Sequence, residues 1–150
     1  MWNILYTSDM KRSTESADIL LKNCNILNHE IVESLYARDY GNFTGLNTQQ
    51  IYDQYGHTVS DHMLNSYEDT PPAGEKLSSI KSRIQYFYDK KLLPNLNNGK
   101  NILCVLHHDV LFVLLNHINM LSKDDYKQDL FPYCNYCLLY TSDAADDDRG

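Results

Sequence analysis

Short apolar runs alternate with amphipathic stretches along most of the chain. Ile4-Leu5-Tyr6 is apolar and stops at Thr7-Ser8-Asp9, a cluster able to supply an N-cap. Ala17, Ile19, Leu20 and Leu21 follow, so a helix is predicted from about Met10 to Lys22. Ile31-Val32 with Leu35 reads as a second strand, and a polar loop holding Gly41 and Gly45 comes next. Thr48 to Tyr55 is a short predicted helix closed by Gly56. Asp69 to Gly74 carries paired prolines and must be loop. Ile80, Ile84, Phe87 and Tyr88 then share one side of a helix predicted from about Lys76 to Lys91, with a turn over Asn95 to Lys100. Ile102 to Leu106 is unbroken apolar sequence, the mark of a strand buried on both faces of a parallel sheet. His107-His108-Asp109 interrupts it, and a helix is expected from about Val110 to Met120.

Strands alternating with helices imply an α/β layered fold. In such sheets ligands collect at the carboxyl ends of strands, beside helix N-termini. Two polar junctions fall at such places: Thr7 to Arg12, and His107 to Asp109. Arg12, one turn into its helix, is placed to clamp an oxyanion, and His107 to donate to one or to act as acid or base. Read singly, each is more simply a solvated arginine or a satisfied loop histidine. At equivalent junctions they point to one anion site.

Composition narrows the choice of partner. The chain has 150 residues, 43% hydrophobic and 22% charged, with a formal charge of −7. That size is expected to form one domain, and the excess of carboxylates argues against nucleic acid as a partner. Met1-Trp-Asn-Ile-Leu lacks a basic leader, and the longest apolar run, Val110 to Leu115, is too short to cross a bilayer, so a cytoplasmic location is expected. Four cysteines, Cys24, Cys104, Cys134 and Cys137, include a lone C-x-x-C without a second ligand pair. Reduced thiols are expected, and no metal. From Cys137 onward the texture turns small and acidic, and CLLYTSDAAD is similar to translated sequencing-adapter sequence. The domain is therefore expected over residues 1–136, with 137–150 a non-native tail; a natural acidic tail is the alternative.

Several ordered blocks then carry a resemblance. Tyr6-Thr7-Ser8-Asp9-Met10-Lys11-Arg12-Ser13 resembles the T-S-x-L-x-R motif of the histidine phosphatase superfamily. Arg38 to Asn47 is similar to the R-x-Y-G-x-L-x-G-L-N block of its cofactor-dependent phosphoglycerate mutase branch. Tyr55-Gly56, Ser66 to Pro72 and Gly74-Glu75-Lys76-Leu77 match that branch's Y-G, S-Y/F-D-x-P-P and G-E-S-L in order. Gly99 to Leu103 with the histidine pair resembles G-K-x-V-L-x-x-x-H-G. The resemblance implies a three-layer α/β/α fold with a mostly parallel sheet, truncated here at its first strand. It also implies phosphoryl transfer through a phosphohistidine. Arg12 then becomes a phosphate clamp and His107 the second pocket histidine. Ser8 and Lys11 fall on the pocket rim, and Tyr40, Gly41 and Asn47 shape the substrate loop. The implied partner is a small phosphorylated substrate, with 2,3-bisphosphoglycerate as primer if the protein is a mutase and no bound metal or organic group. A homo-oligomer is compatible with the sequence.

The departures matter as much. The nucleophile's R-H-G motif does not occur in these residues, which is expected from truncation rather than loss, so the fragment alone is expected to be inactive. The branch's proton-transferring Glu before R-x-Y-G is Ala37, and its arginine pair is Leu64 and Asn65. Alanine cannot transfer a proton, and two lost cations weaken binding of a doubly anionic substrate. His108 and Asp109 replace Gly and the usual Asn or Gly. Asp109 is a candidate compensating acid or base, and the plainer alternative is that the two cap the next helix. Three functions remain open: a mutase of 3- and 2-phosphoglycerate in glycolysis, a phosphatase for another small ester, and a non-catalytic phosphate-binding domain.

Overall fold

The computed structural model describes residues 1–133 and 136–138. Cys134 and the expected tail beyond residue 138 lie outside the described residues, while Cys137 is described and is exposed and free. The described chain builds a parallel three-stranded sheet in the order β2-β1-β3, with β1 at Trp2–Thr7, β2 at Ile26–Ile31 and β3 at Ile102–Val105. Helix α1 (Lys11–Asn23) makes the crossover between β1 and β2 and packs on the sheet. Its buried residues are small, Ser13 and Ala17, which lets the helix lie close to the strands. Helices α2 (Thr48–Tyr55) and α3 (His57–Asn65) form a satellite layer around Phe43, Ile51 and Leu64. Helices α4 (Leu77–Phe87), α5 (Leu93–Asn97) and α6 (His108–His117) complete the order.

Successive side chains of a strand face opposite ways. On the central strand both faces are covered, since Leu5 and Tyr6 are each buried. The Tyr6 ring meets Phe87 of α4 edge-on at 5.2 Å, and its hydroxyl accepts from Asn95 at 3.0 Å. The main core lies on that side, where Ile80, Ile84 and Phe87 of α4 pack with Val110, Val113 and Leu114 of α6. The three-layer α/β/α arrangement expected from the sequence is therefore present.

Several local expectations shift. The second strand lies at Ile26–Ile31, ahead of its expected place. It is an edge strand with Leu27 and Ile31 exposed, so its apolar residues carry no core pattern. Val32 and Leu35 are buried, yet they sit in the turn after it, where the Val32 N–H donates to the Thr7 carbonyl. The strand Ile102–Val105 is half-buried rather than enclosed, because it too lies at an edge of the described sheet. The predicted helix from Lys76 does not end at Lys91: a π-turn at Tyr88–Leu92 leads into α5. Pro94 explains the widened turn, since its ring collides with the carbonyl four residues back in a regular helix. The helix Thr48–Tyr55 and its Gly56 terminus are as expected, with Gly56 at φ +81. His29 lies on β2 and bonds the Thr7 hydroxyl at 2.7 Å.

Candidate functional site

Strands β1 and β3 run side by side with Thr7 opposite Val105, so both end at the same edge of the sheet. Each passes at once into a helix, α1 or α6, whose N-terminus carries partial positive charge. Ser8, Arg12 and Ser13 come from the first junction and His107 from the second. The structure brings them together.

The His107 Nε2 lies 2.9 Å from Ser8 Oγ and 3.2 Å from Ser13 Oγ, while the Ser8 hydroxyl donates to Ser13 Oγ at 2.8 Å. Arg12 Nε donates to His107 Nδ1 at 3.4 Å. Arginine can only donate, so Nδ1 must be the bare acceptor and the proton sits on Nε2, pointing at Ser8. Burial, then the charges of Arg12 and Arg83, pull the His107 pKa down to about 4. At neutral pH the ring is therefore uncharged, and Arg12 supplies the cation beside it.

Ser8 is fully buried, so it belongs to the floor of this site rather than the expected rim. It does not cap α1 either: the N-cap is Met10, with no side-chain hydrogen bond. Lys11 is on the rim, its side chain 90% exposed and loosely paired with Glu15.

A second cluster sits beside the first, and the sequence only half disclosed it. Asp109 is buried in the first turn of α6, and His107 is the helix N-cap, its side chain making no capping bond. The capping role read for His108 and Asp109 is not what the structure has. Asp109 Oδ2 accepts from the Tyr40 hydroxyl at 2.6 Å and from Arg38 Nη1 at 3.4 Å. Its Oδ1 accepts from the Tyr126 hydroxyl at 3.0 Å and lies 2.8 Å from His108 Nδ1. Arg38, also buried, donates further to the carbonyls of Glu75 and Asp69.

Burial pushes the Asp109 carboxyl up, but the bonds from His108 and Tyr40, the Arg38 charge and Tyr126 outweigh it and hold the pKa below the ordinary value. Burial and the Asp109 charge push the Tyr40 and Tyr126 hydroxyls up, so both stay protonated donors. Asp109 is thus a fixed anion with its lone pairs in use, the opposite of a poised proton donor. The compensating acid–base role read for it has no support in this geometry. Arg38 and Tyr126 were not among the expected site residues. The R-x-Y-G block signalled Arg38, but nothing in the sequence signalled Tyr126, which reaches Asp109 from 17 residues on.

The remaining candidates divide. Gly41 has φ +55, and a Cβ there would stand 2.3 Å from the Pro72 carbonyl oxygen, so only glycine lets this loop close on Pro72–Gly74. Asn47, expected at the substrate loop, is occupied in a capping box: its Oδ1 accepts from the Gln50 N–H and Gln50 Oε1 accepts from its own, both at 2.9 Å. Leu64 is buried in the satellite core, and Asn65 Oδ1 accepts from the Gln128 N–H at 3.1 Å. Among the described residues no group of three or more His, Cys, Asp or Glu is arranged to hold a metal, and no helix is long and apolar enough to cross a membrane.

An open α/β sheet thus gathers a neutral histidine, an arginine and two hydroxyls at its strand ends. Residues 1–146 match the histidine phosphatase superfamily, branch 1, and the chain belongs to that family. It is 32% identical over 125 residues to the 2,3-bisphosphoglycerate-dependent phosphoglycerate mutase of Cytophaga hutchinsonii, covering 83% of this chain and 59% of that protein. The corresponding mutase of Parvibaculum lavamentivorans is 29% identical over 126 residues, covering 83% and 60%. The chain thus spans about 60% of the length of these relatives. Its fold is similar to that of YhfR from Bacillus stearothermophilus, with a TM-score of 0.67 and 23% identity over 88% of this chain and 63% of that one. The α-ribazole phosphatase of Shigella flexneri has the same fold at a TM-score of 0.60 and 19% identity, over 80% and 58%.

Proposed function

We propose that this chain is the phosphate-gripping part of an enzyme that transfers a phosphoryl group to and from a small phosphate ester through a phosphohistidine. The observation that carries this reading is the meeting of Arg12, Ser8, Ser13 and His107 at the ends of two adjacent strands. Arg12 balances the phosphoryl oxygens' charge, while the hydrogen bonds among His107, Ser8 and Ser13 hold the ring to which Arg12 donates. The acceptor is a histidine in an R-H-G strand of a longer protein that contains this chain. Its nitrogen forms the N–P bond as the ester P–O bond breaks, and the leaving oxygen takes up a proton.

Two finer readings differ in what happens next. In a mutase of 3- and 2-phosphoglycerate the phosphoryl group returns to a glycerate hydroxyl; similarity to the mutases of Cytophaga and Parvibaculum favours this. There 2,3-bisphosphoglycerate would prime the histidine by donating a phosphoryl group, and the cluster around Arg12 fits one such group. In a phosphatase the group passes to water; the burial of Leu64 and the absence of a carboxylate at Ala37 favour that outcome.

In either reading we take the enzyme to be cytoplasmic and metal-independent. The test is direct. The longer protein, incubated with a radiolabelled phosphate ester, should hold acid-labile, base-stable label, and the 150-residue chain alone should hold none. Absence of that label from an otherwise folded longer protein would overturn the proposal.

A further inference from the structure

The His107 ring has two nitrogens, and the bonds around it give them different tasks. Ser8 spends its one hydroxyl proton on Ser13 Oγ at 2.8 Å. Across the 2.9 Å contact between Ser8 Oγ and Nε2, the proton must therefore come from the ring. Arg12 Nε donates to Nδ1 at 3.4 Å, which requires the same tautomer from the other side. Nε2–H faces Ser8 and Ser13, both buried, and is spent there. Nδ1 faces the exposed Arg12 with a lone pair and no proton.

The surrounding charges keep it so. Burial, then the charges of Arg12 on α1 and Arg83 on α4, lower the ring's pKa to about 4, so it takes no proton from neutral solution. Arg83 is itself held by Glu75 through Nη2–Oε1 at 3.0 Å. Asp9, beyond β1, accepts from the Tyr36 hydroxyl, and on α6 His108 Nδ1 lies 2.8 Å from Asp109 Oδ1. Lys11, on the rim and 90% exposed, attracts any anion without regard to its protons.

An oxyanion arriving at Arg12 meets a donor and an acceptor side by side. A fully ionised oxyanion has only acceptors, so one of its oxygens would be set against the Nδ1 lone pair. An anion that keeps one proton fits both: an ionised oxygen takes the guanidinium, and the O–H donates to Nδ1. The Arg12–Nδ1 bond is long enough to give way, which frees Nε for the ligand.

We infer that the site selects oxyanions that keep one hydroxyl, the monoprotonated form of a phosphate monoester, and that His107 Nδ1 is the acceptor for that hydroxyl. The inference rests on the phosphate-site reading above and specifies the protonation state of the ligand it takes. Sulfate has the same tetrahedral shape but no proton near neutral pH, and it is disfavoured.

The test compares inorganic phosphate with sulfate, each titrated by calorimetry into the 150-residue chain at constant ionic strength, with the His107 ring nitrogens followed by 15N NMR. At about pH 6 phosphate should bind about 10- to 100-fold more tightly, less than an enclosed acceptor achieves because Nδ1 is open on one side. Its affinity should fall by up to about tenfold per pH unit once the ligand has lost its last proton, at about pH 6 to 7 and above. A parallel fall for sulfate would assign that proton to the protein and overturn the inference. So would a protonated Nδ1 in the free chain, or sulfate binding as tight as that of phosphate, although the anion site itself would stand. His107→Asn puts an amide where Nδ1 stood, able to offer either its oxygen or its NH2, and should cut the ratio to about threefold or less. An unchanged ratio in that variant removes Nδ1 as the cause. If neither anion binds, the phosphate-site reading fails first and takes the inference with it. Should His107→Asn not fold, the ratio and the tautomer in the unmodified chain still decide.

Discussion

Arg12 and Arg38 lie at the same edge of the sheet and do opposite things. Arg38 is enclosed, its charge balanced by Asp109, with the Tyr40 and Tyr126 hydroxyls filling the carboxylate's other lone pairs. It brings its own anion. Arg12 has one long bond to a neutral ring nitrogen and leaves the anion to arrive from solution. A buried guanidinium must be fully paired or the fold suffers, whereas a partly exposed one can stay unpaired at little cost. The first arrangement holds structure and the second is open to a ligand, and the two should respond to mutation in opposite ways.

Asp109→Ala is the sharpest way to test that division. It strands the Arg38 guanidinium in the interior, and breaking a buried pair from one side costs about 3–5 kcal/mol. Small domains have only about 5–15 kcal/mol in all, so the urea midpoint should fall steeply or the protein should not fold. A loss under about 1 kcal/mol would mean that the network is solvated and the comparison false. Arg12→Ala should do the converse. Its removal should weaken inorganic phosphate binding by about 10- to 100-fold, the worth of one charge-assisted contact, and move the urea midpoint by no more than about 0.5 kcal/mol equivalent. Calorimetric titration and urea unfolding on one preparation read both quantities.

How much of this the sequence disclosed depends on the range of the interaction. Junctions between strand and helix are local, and both were legible: Ser8 and Arg12 follow β1, and His107 follows β3, because an apolar run ending in polar residues marks that place. Interactions across the chain were not. That Asp109 would meet Tyr40 and Arg38, about 70 residues earlier, depends on how the loop closes at Gly41, which periodicity does not encode. Asn47 misled because a loop asparagine serves a ligand or a helix cap equally well; Gln50, three residues on, was the available sign of the cap. The edge strand Ile26–Ile31 was missed since two of its three apolar residues are exposed, so the pattern that usually reports burial was absent.

Acid titration separates the two clusters again, with a smaller effect. The His107 pKa is lowered from 6.5 to about 4, so over that interval the unfolded chain binds a proton that the folded chain refuses. Stability is whole above pH 6.5 and declines as the pH falls toward about 4. Because the ring is only partly buried, the loss is discounted to about 1–2 kcal/mol. Asp109, whose pKa is lowered from the ordinary carboxylate value, contributes a second decline that begins only below that value, as its carboxylate is protonated. His107→Gln should flatten the upper limb of a urea-midpoint profile and leave the lower one. A profile unchanged by that substitution would show the ring to be freely solvated, and Arg12 would then have no neutral neighbour.

The capping box at α2 gives the smallest and most local prediction. Asn47 and Gln50 satisfy each other's backbone N–H groups at 2.9 Å, and α2 is only Thr48–Tyr55, too short to persist without tertiary support. Asn47→Ala removes one of those bonds and should cost about 1 kcal/mol of stability. Asn47→Asp keeps the acceptor, adds a charge favourable at a helix N-terminus, and should restore most of that loss. Since the side chain is spent on the cap, neither change should alter phosphate affinity by more than about twofold, a difference of roughly 0.4 kcal/mol. A tenfold loss of phosphate binding in Asn47→Asp, with stability retained, would return Asn47 to the ligand site. The line between residues that hold the fold and residues that hold the phosphate would then have to be redrawn through α2.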